Sequence, residues 1–276
     1  MYEILDFDAN FGAYSEKWME LNKKRFKNIE QMEDAMPDVY MHWLNSPAAF
    51  LQGEAPGLYF QKFDNAAELV KWLEAYEDAG VPVPDPLMER IADLGERSVS
   101  PLMRAAADAG RDAQVRVTAL NLLKEIETDG APLEMCLAII DSREADDEVA
   151  DVAAELLQTL GEECVPPILA RINEVTDEAR ETYLDVLCNF PGDERIFPPL
   201  MEAFETHPDK RALYASYLGK LGDSRAVETL KETLTDPELN YLDYLEIRNA
   251  VEMLGGTVEI DREFAGDPYY EALKGQ

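Results

Sequence analysis

The sequence predicts an all-α protein: an α-solenoid of about six helix pairs that follows an N-terminal helical region. Three observations predict it. First, apolar residues that close helices recur at Leu94, Ile126, Leu160, Phe190, Leu221 and Leu254, 30 to 34 residues apart. Second, each has an apolar residue three positions earlier (Ile91, Leu123, Leu157, Leu187, Leu218, Val251) and another seven earlier (Leu87, Ala119, Ala153, Tyr183, Tyr214, Ile247). That i−7, i−3, i rhythm marks one face of an α-helix. Third, Gly or Pro directly follows five of the six closing residues, so most of these helices stop in the same way.

A second helix is predicted seven to ten residues after each of the first five stops. Its core positions read Leu102/Ala106, Leu133/Leu137, Ile168/Ile172, Leu200/Phe204 and Leu230/Leu234. Pro101, Pro132, Pro166, Pro167, Pro198 and Pro199 are expected in its first turn, where the N–H groups have no intrahelical partner. The repeats run over 85–110, 111–141, 146–175, 177–207 and 208–236, with a last unit from about 239. No pair buries both of its faces alone, so the pairs are expected to stack. The end of the chain, TVEIDREFAGDPYYEALKGQ, departs from the pattern and reads as a cap, with Phe264, Tyr269, Tyr270 and Leu273 over the last core layer.

The strings IADLGERSVSPLM, LGEECVPPIL and LGDSRAVETL resemble HEAT repeats, of the short variety in the HEAT-like family related to phycobilisome lyases. The resemblance spans roughly Asp85 to the C-terminus. It implies a repeat fold but no particular activity, because that family holds scaffolds, bilin-attachment proteins, an iron-dependent hydroxylase and DNA glycosylases.

Before the repeats, residues 1–14 carry Tyr2, Ile4, Leu5, Phe7, Phe11 and Tyr14, a segment expected to pack as a strap. A helix is predicted from Ser15, as N-cap, through the following twenty residues, with Trp18, Leu21, Arg25 and Ile29 on one stripe. Lys23, Lys24, Arg25 and Lys27 beside it form the one dense basic run of the chain. A short helix opens at Pro37. The turn-rich stretch 45–63 is too apolar for a free loop. Asp64 is expected to cap a helix to about Ala79, with Leu69, Trp72, Leu73 and Tyr76 inward. Within this region WLNSPAAFLQGEAP resembles the partner-binding region of some toxin-neutralising antitoxins. Three prolines in Val-Pro-Val-Pro-Asp-Pro86 favour an extended link. They divide an N-terminal helical region or cap, 1–80, from a repeat region, 85–276.

Charge narrows the function. The net charge is −32, with 15 acidic against 7 basic residues up to position 84 and 42 against 18 beyond it. Such a surface opposes phosphate backbones and anionic membranes; it reads first as a means of solubility, and beyond that as a match for a basic partner or a mimic of nucleic acid. Cys136, Cys164 and Cys188 have spacings that suit neither a zinc knuckle nor a disulfide scaffold. They are expected to be reduced, buried thiols. No stretch approaches the ~20 apolar residues of a membrane span, and a cytoplasmic location is expected.

No catalytic, cofactor or metal residues are predicted. Only His42 and His207 are present, too few for the paired His and Glu ligands of a metal-dependent hydroxylase. There is no P-loop, dinucleotide fingerprint or nucleophile elbow. The run Asp141, Glu144, Asp146, Asp147, Glu148 lacks the order of a calcium loop and reads as a solvated, helix-capping turn. The expected function is that of a non-enzymatic interaction scaffold. Its concave face, lined by the second helices, would bind a basic or extended protein partner. Counting from each core leucine places Met103, Glu134, Leu169, Asn173, Met201, Glu205 and Lys231 on that face. Met103, Leu169 and Met201 are expected to pack against the adjacent repeat; exposed as a row they would form a binding ridge instead, since Met adapts to varied partners. The alternatives are a bilin-lyase-like enzyme, implied by the resemblance, and an acidic inhibitor or antitoxin-like protein.

Overall fold

The computed structural model describes residues 3–126, 128, 130–259 and 262–274. Every regular element among the described residues is helical. Packing contacts fall into two compact units, Met1–Met135 and Cys136–Gln276.

The first unit opens with α1 (Phe7–Asn22), α2 (Ile29–Glu33), α3 (Met36–Leu44) and α4 (Ala66–Asp78). Asp6, not Ser15, caps α1: its carboxylate accepts from the Ala9 N–H at 2.8 Å. Ser15 lies buried inside the helix, its hydroxyl turned back to the Gly12 carbonyl. The long helix expected from Ser15 is broken. A 3-10 turn at Lys23–Arg25 ends α1, and Asn28 caps α2. Phe7, 2% exposed, is the hub of an aromatic cluster with Trp43, Phe50, Tyr59 and Phe60. Of the segment 1–14 expected as a strap, only residues 3–5 run outside a helix as one; from Phe7 onward it is the first half of α1. Trp72 Nε1 donates to the Glu3 carbonyl, and the Tyr76 hydroxyl donates to the Leu5 carbonyl. Tyr2 lies outside the described residues. The stretch before α4 packs through two 3-10 turns, Ala49–Leu51 and Pro56–Lys62, that bury Leu51 and Phe60. Asn65, one residue beyond the predicted Asp64, caps α4.

Next come α5 (Asp85–Asp93), α6 (Glu96–Ala107) and α7 (Ala113–Glu125). The chain turns from α5 to α6 at Gly95, whose φ of +55° strains any side-chain-bearing residue. α4 packs on all three of these helices, α5 on α7 and α6 on α7. Pro101 sits inside α6 rather than in its first turn, because that helix starts earlier than the proline suggested. α8 (Leu133–Asp141) carries the change from the first unit to the second.

The second unit continues with α9 (Glu148–Thr159), α10 (Val165–Arg171), α11 (Asp177–Leu187), α12 (Phe197–Thr206), α13 (Arg211–Leu221), α14 (Val227–Thr233), α15 (Tyr241–Met253) and α16 (Pro268–Lys274). Helices α9, α11, α13 and α15 pack in succession, with α12 on α13 and α14 on α15. Across both units, every residue predicted three or seven positions before a helix stop is at most 3% exposed. The second-helix core positions are buried too, except Leu133, which is half-buried. Gly219 lets α13 approach α15 closely: a Cβ there would stand 3.2 Å from Ala250 Cα.

Polar joints tie successive helices of this unit. Arg171 pairs with Asp141 at 2.9 Å, Arg180 with Glu202 at 3.0 Å, Lys210 with Glu181 at 2.6 Å and Arg211 with Asp236 at 3.1 Å. At the end, Phe264 is buried against Tyr241, Tyr244 and Tyr270, as a cap requires. Tyr269, predicted to help cover that layer, is instead 61% exposed, and the side chain of Leu273 lies outside the described residues.

Candidate functional site

Two grooves open between successive second helices of the Cys136–Gln276 unit. The first, between α10 and α12, is lined by Pro166, Leu169, Asn173, Pro198, Pro199 and Glu202 among others. Prolines in the first turns of both helices form much of its wall, since the sequence places proline where no N–H is needed. Its charged groups are already engaged. Arg195 holds Asp193 at 2.5 Å and keeps that carboxyl below the usual carboxylate range, while Glu202 pairs with Arg180. The groove is therefore apolar in character, with Asn173 as an exposed polar group at its edge.

The second groove, between α12 and α14, is lined by Phe204, Glu205, Arg211, Thr229, Glu232 and Asp236 among others. Arg211 is neutralised by Asp236. Glu205 and Glu232 are both exposed, and no ion pair of either is found among the described residues. Two uncompensated carboxylates beside a paired arginine leave this groove negative.

The predicted residues distribute as follows. Leu169 and Asn173 meet in the first groove, and Glu205 lies in the second. Met201 is buried, 9% exposed, and Leu169 is half-buried, in line with packing against a neighbouring helix rather than with an exposed row. The physical reason is that one residue past a core leucine is a turn of about 100° around the helix. That places a side chain at the margin of the buried stripe, where the neighbouring helix decides whether it is covered. Lys231 is half-buried on α14 with Glu228 3.8 Å away, and it lines neither groove. Glu134 is exposed in the first turn of α8. Met103, half-buried, belongs to a separate groove of the first unit with Val99, Ile126 and Ala131.

Sequence reasoning missed Glu232, Arg211 and Asp236. Their signal was available in part: Glu232 lies between the core positions Leu230 and Leu234, on the side of α14 away from them.

No family model matches the chain, and no curated protein matches it.

The reactive groups elsewhere are quiet. Cys136, Cys164 and Cys188 are buried and free, and burial pushes their thiols up to about 12, about 11 and about 12. His42 is held at its Nδ1 by Tyr14 and Ser46 on the surface. His207 is held at its Nδ1 by Thr206 and the Ala203 carbonyl. Among the described residues no group of three or more His, Cys, Asp or Glu is arranged to hold a metal ion, and no helix is long and apolar enough to cross a membrane.

Proposed function

We propose that the helix pairs form an α-solenoid of the HEAT-like kind, and that the protein is a non-enzymatic scaffold. In this reading the second helices receive an extended, basic segment of a partner protein. The observation that carries it is the α12–α14 groove, where Glu205 and Glu232 stand without cationic partners beside the apolar α10–α12 groove. An extended segment running across both would set apolar side chains against Leu169 and the prolines and a Lys or Arg against the two glutamates. Unpaired rim carboxylates mainly speed encounter and set register, so association should weaken steeply with salt.

A photo-crosslinking residue placed at Asn173 or Glu205 of the full chain, used in cells, tests this. The expected product is one protein captured through Lys- or Arg-rich peptides, with capture reduced at least tenfold by Glu232→Lys. Capture that is indifferent to this charge reversal, or no protein captured at either position, overturns the reading.

A further inference from the structure

Helix α12 lines both grooves of the Cys136–Gln276 unit: Pro198, Pro199 and Glu202 in the α10–α12 groove, Phe204 and Glu205 in the α12–α14 groove. The two differ in character. In the first, Arg195 is closed on Asp193 and Glu202 on Arg180, which leaves Leu169, Ala170 and the prolines as its free surface. In the second, the cations nearby are already engaged. Arg211 pairs with Asp236, and Lys231, beside the groove, stands 3.8 Å from Glu228. Arg262 gives its guanidinium to the carbonyls of Asp236, Pro237 and Leu239 and lies over the Phe264 ring. Glu205, Glu232 and Asp236 against Arg211 and Arg262 leave a surplus of one negative charge. One cationic side chain answers that surplus, and a second would go unmatched.

The separation of the grooves sets a length. They flank one helix, so their midlines lie about one interhelical distance apart, about 8–10 Å. Along α12 the lining moves from 198–202 to 204–205, about five residues or about 7 Å at 1.5 Å per residue. The two displacements are at right angles and combine to about 12 Å. An extended chain covers that in three to four residues, at about 3.3 Å each. A helix, rising 1.5 Å per residue, needs about eight.

We propose that the partner segment is read at two points, one apolar side chain in the α10–α12 groove and one Lys or Arg in the α12–α14 groove, three or four residues apart along an extended chain. This rests on the groove reading above and adds to it a fixed spacing and a single cation. The residues between the two points cross α12 where Glu202 is already neutralised by Arg180, so they need carry no charge. Asn173, exposed at the edge of the first groove, makes no side-chain hydrogen bond among the described residues. Its amide can donate to and accept from the main chain of an extended guest, whose own N–H and C=O groups are unpaired. A helical guest has spent those groups internally. Selectivity then lies in distance: a basic run with no apolar residue at the right remove fills one groove only.

Panning a phage-displayed library of random dodecapeptides on the full chain at low salt tests the proposal. The recovered peptides are expected to share an apolar residue with a Lys or Arg three or four positions away, in either chain direction. Fluorescent copies of one recovered peptide, with serines inserted or removed between the two residues, should bind at least tenfold more weakly at any other spacing. A variant carrying both Glu205→Lys and Glu232→Lys, at exposed positions and verified as folded by circular dichroism, should select Asp or Glu at the same distance from the apolar residue. Asn173→Ala should weaken binding and leave the preferred spacing unchanged. Peptides that respond to the charge reversal but bind equally well at every spacing overturn this inference and leave the groove reading standing. An optimum at seven or eight residues means a helical guest and overturns it too. A library that yields no binder, or binders indifferent to the charge reversal, overturns the inference and the groove reading together.

Discussion

The Tyr183 hydroxyl, on a ring with no exposed surface, lies 2.6 Å from Asp141 Oδ1 and 3.0 Å from the Leu137 carbonyl. Asp141 in turn takes Arg171 on its other oxygen at 2.9 Å. Three helices, α8, α10 and α11, are thus joined at one carboxylate. The single phenolic proton is best placed on the charged acceptor, at the shorter distance. Tyr183→Phe leaves the ring packing intact but strips this donor from two acceptors. It should cost about 1–3 kcal/mol in urea unfolding, and Asp141→Ala, which also removes the carboxylate that Arg171 pairs with, should cost more than Tyr183→Phe.

Alkaline pH should unfold the protein. Burial, in each case the leading cause, raises the phenols of Tyr40, Tyr183 and Tyr217 well above their ordinary value of 10.0, and pushes Tyr76 up to about 12. The three thiols rise from 9.0 to between about 11 and about 12. A group whose proton is held more tightly in the folded chain favours folding fully below its unfolded value and loses that contribution as pH climbs toward its folded one. Melting temperature should therefore begin to drop above pH 9 with the thiols and drop faster above pH 10 with the phenols. A flat melting temperature from pH 8 to 11 would contradict the burial of these groups.

Salt should stabilise. With a net charge of −32, the folded chain repels itself, and Asp8, Glu77 and Glu89 each sit beside a like charge that adds to the effect of burial. Raising sodium chloride from low concentration to about 0.15 M shortens the screening length to about 8 Å. A gain of about 1 kcal/mol would raise the melting temperature by roughly 2–4 °C. Calorimetry at two ionic strengths checks the sign.

Two core substitutions should differ in mechanism. Leu187→Ala removes a side chain with no exposed surface and should cost about 2–5 kcal/mol through lost burial and the cavity left behind. Gly219→Val adds atoms where a single Cβ would already lie 3.2 Å from Ala250 Cα and 3.3 Å from Met253 Sδ. Overpacking of that kind typically costs about 1–3 kcal/mol. Ala250→Gly should recover part of the second loss and none of the first, a contrast that a double-mutant cycle reads directly.

The helical core was legible because its signal is periodic. Ile91, Leu123, Leu157, Leu187, Leu218 and Val251 needed only a count, and each has no exposed surface. Caps were harder. Ser15 and Asp64 are good capping residues by chemistry, but Asp6 and Asn65 won because capping requires the backbone to enter the helix at that residue, which neighbours such as Phe7 decide through packing. Surface positions were least legible. Leu169, Asn173 and Glu205 line grooves, whereas Met201, at the same offset from its core leucine as Leu169 from Ile168, is covered. Periodicity tells which side of a helix faces inward; it does not tell how far the adjoining helix overlaps the edge.

The sulfur atoms of Cys136, Cys164 and Cys188 offer a built-in set of reporters. They stand on α8, just before α10 and at the close of α11, and none meets solvent while the helices stay packed. Reaction with a thiol reagent must then wait for each locality to breathe. Their separate labelling rates would time the successive loosening of neighbouring helices in a chain that needs no engineered probe to be watched coming apart.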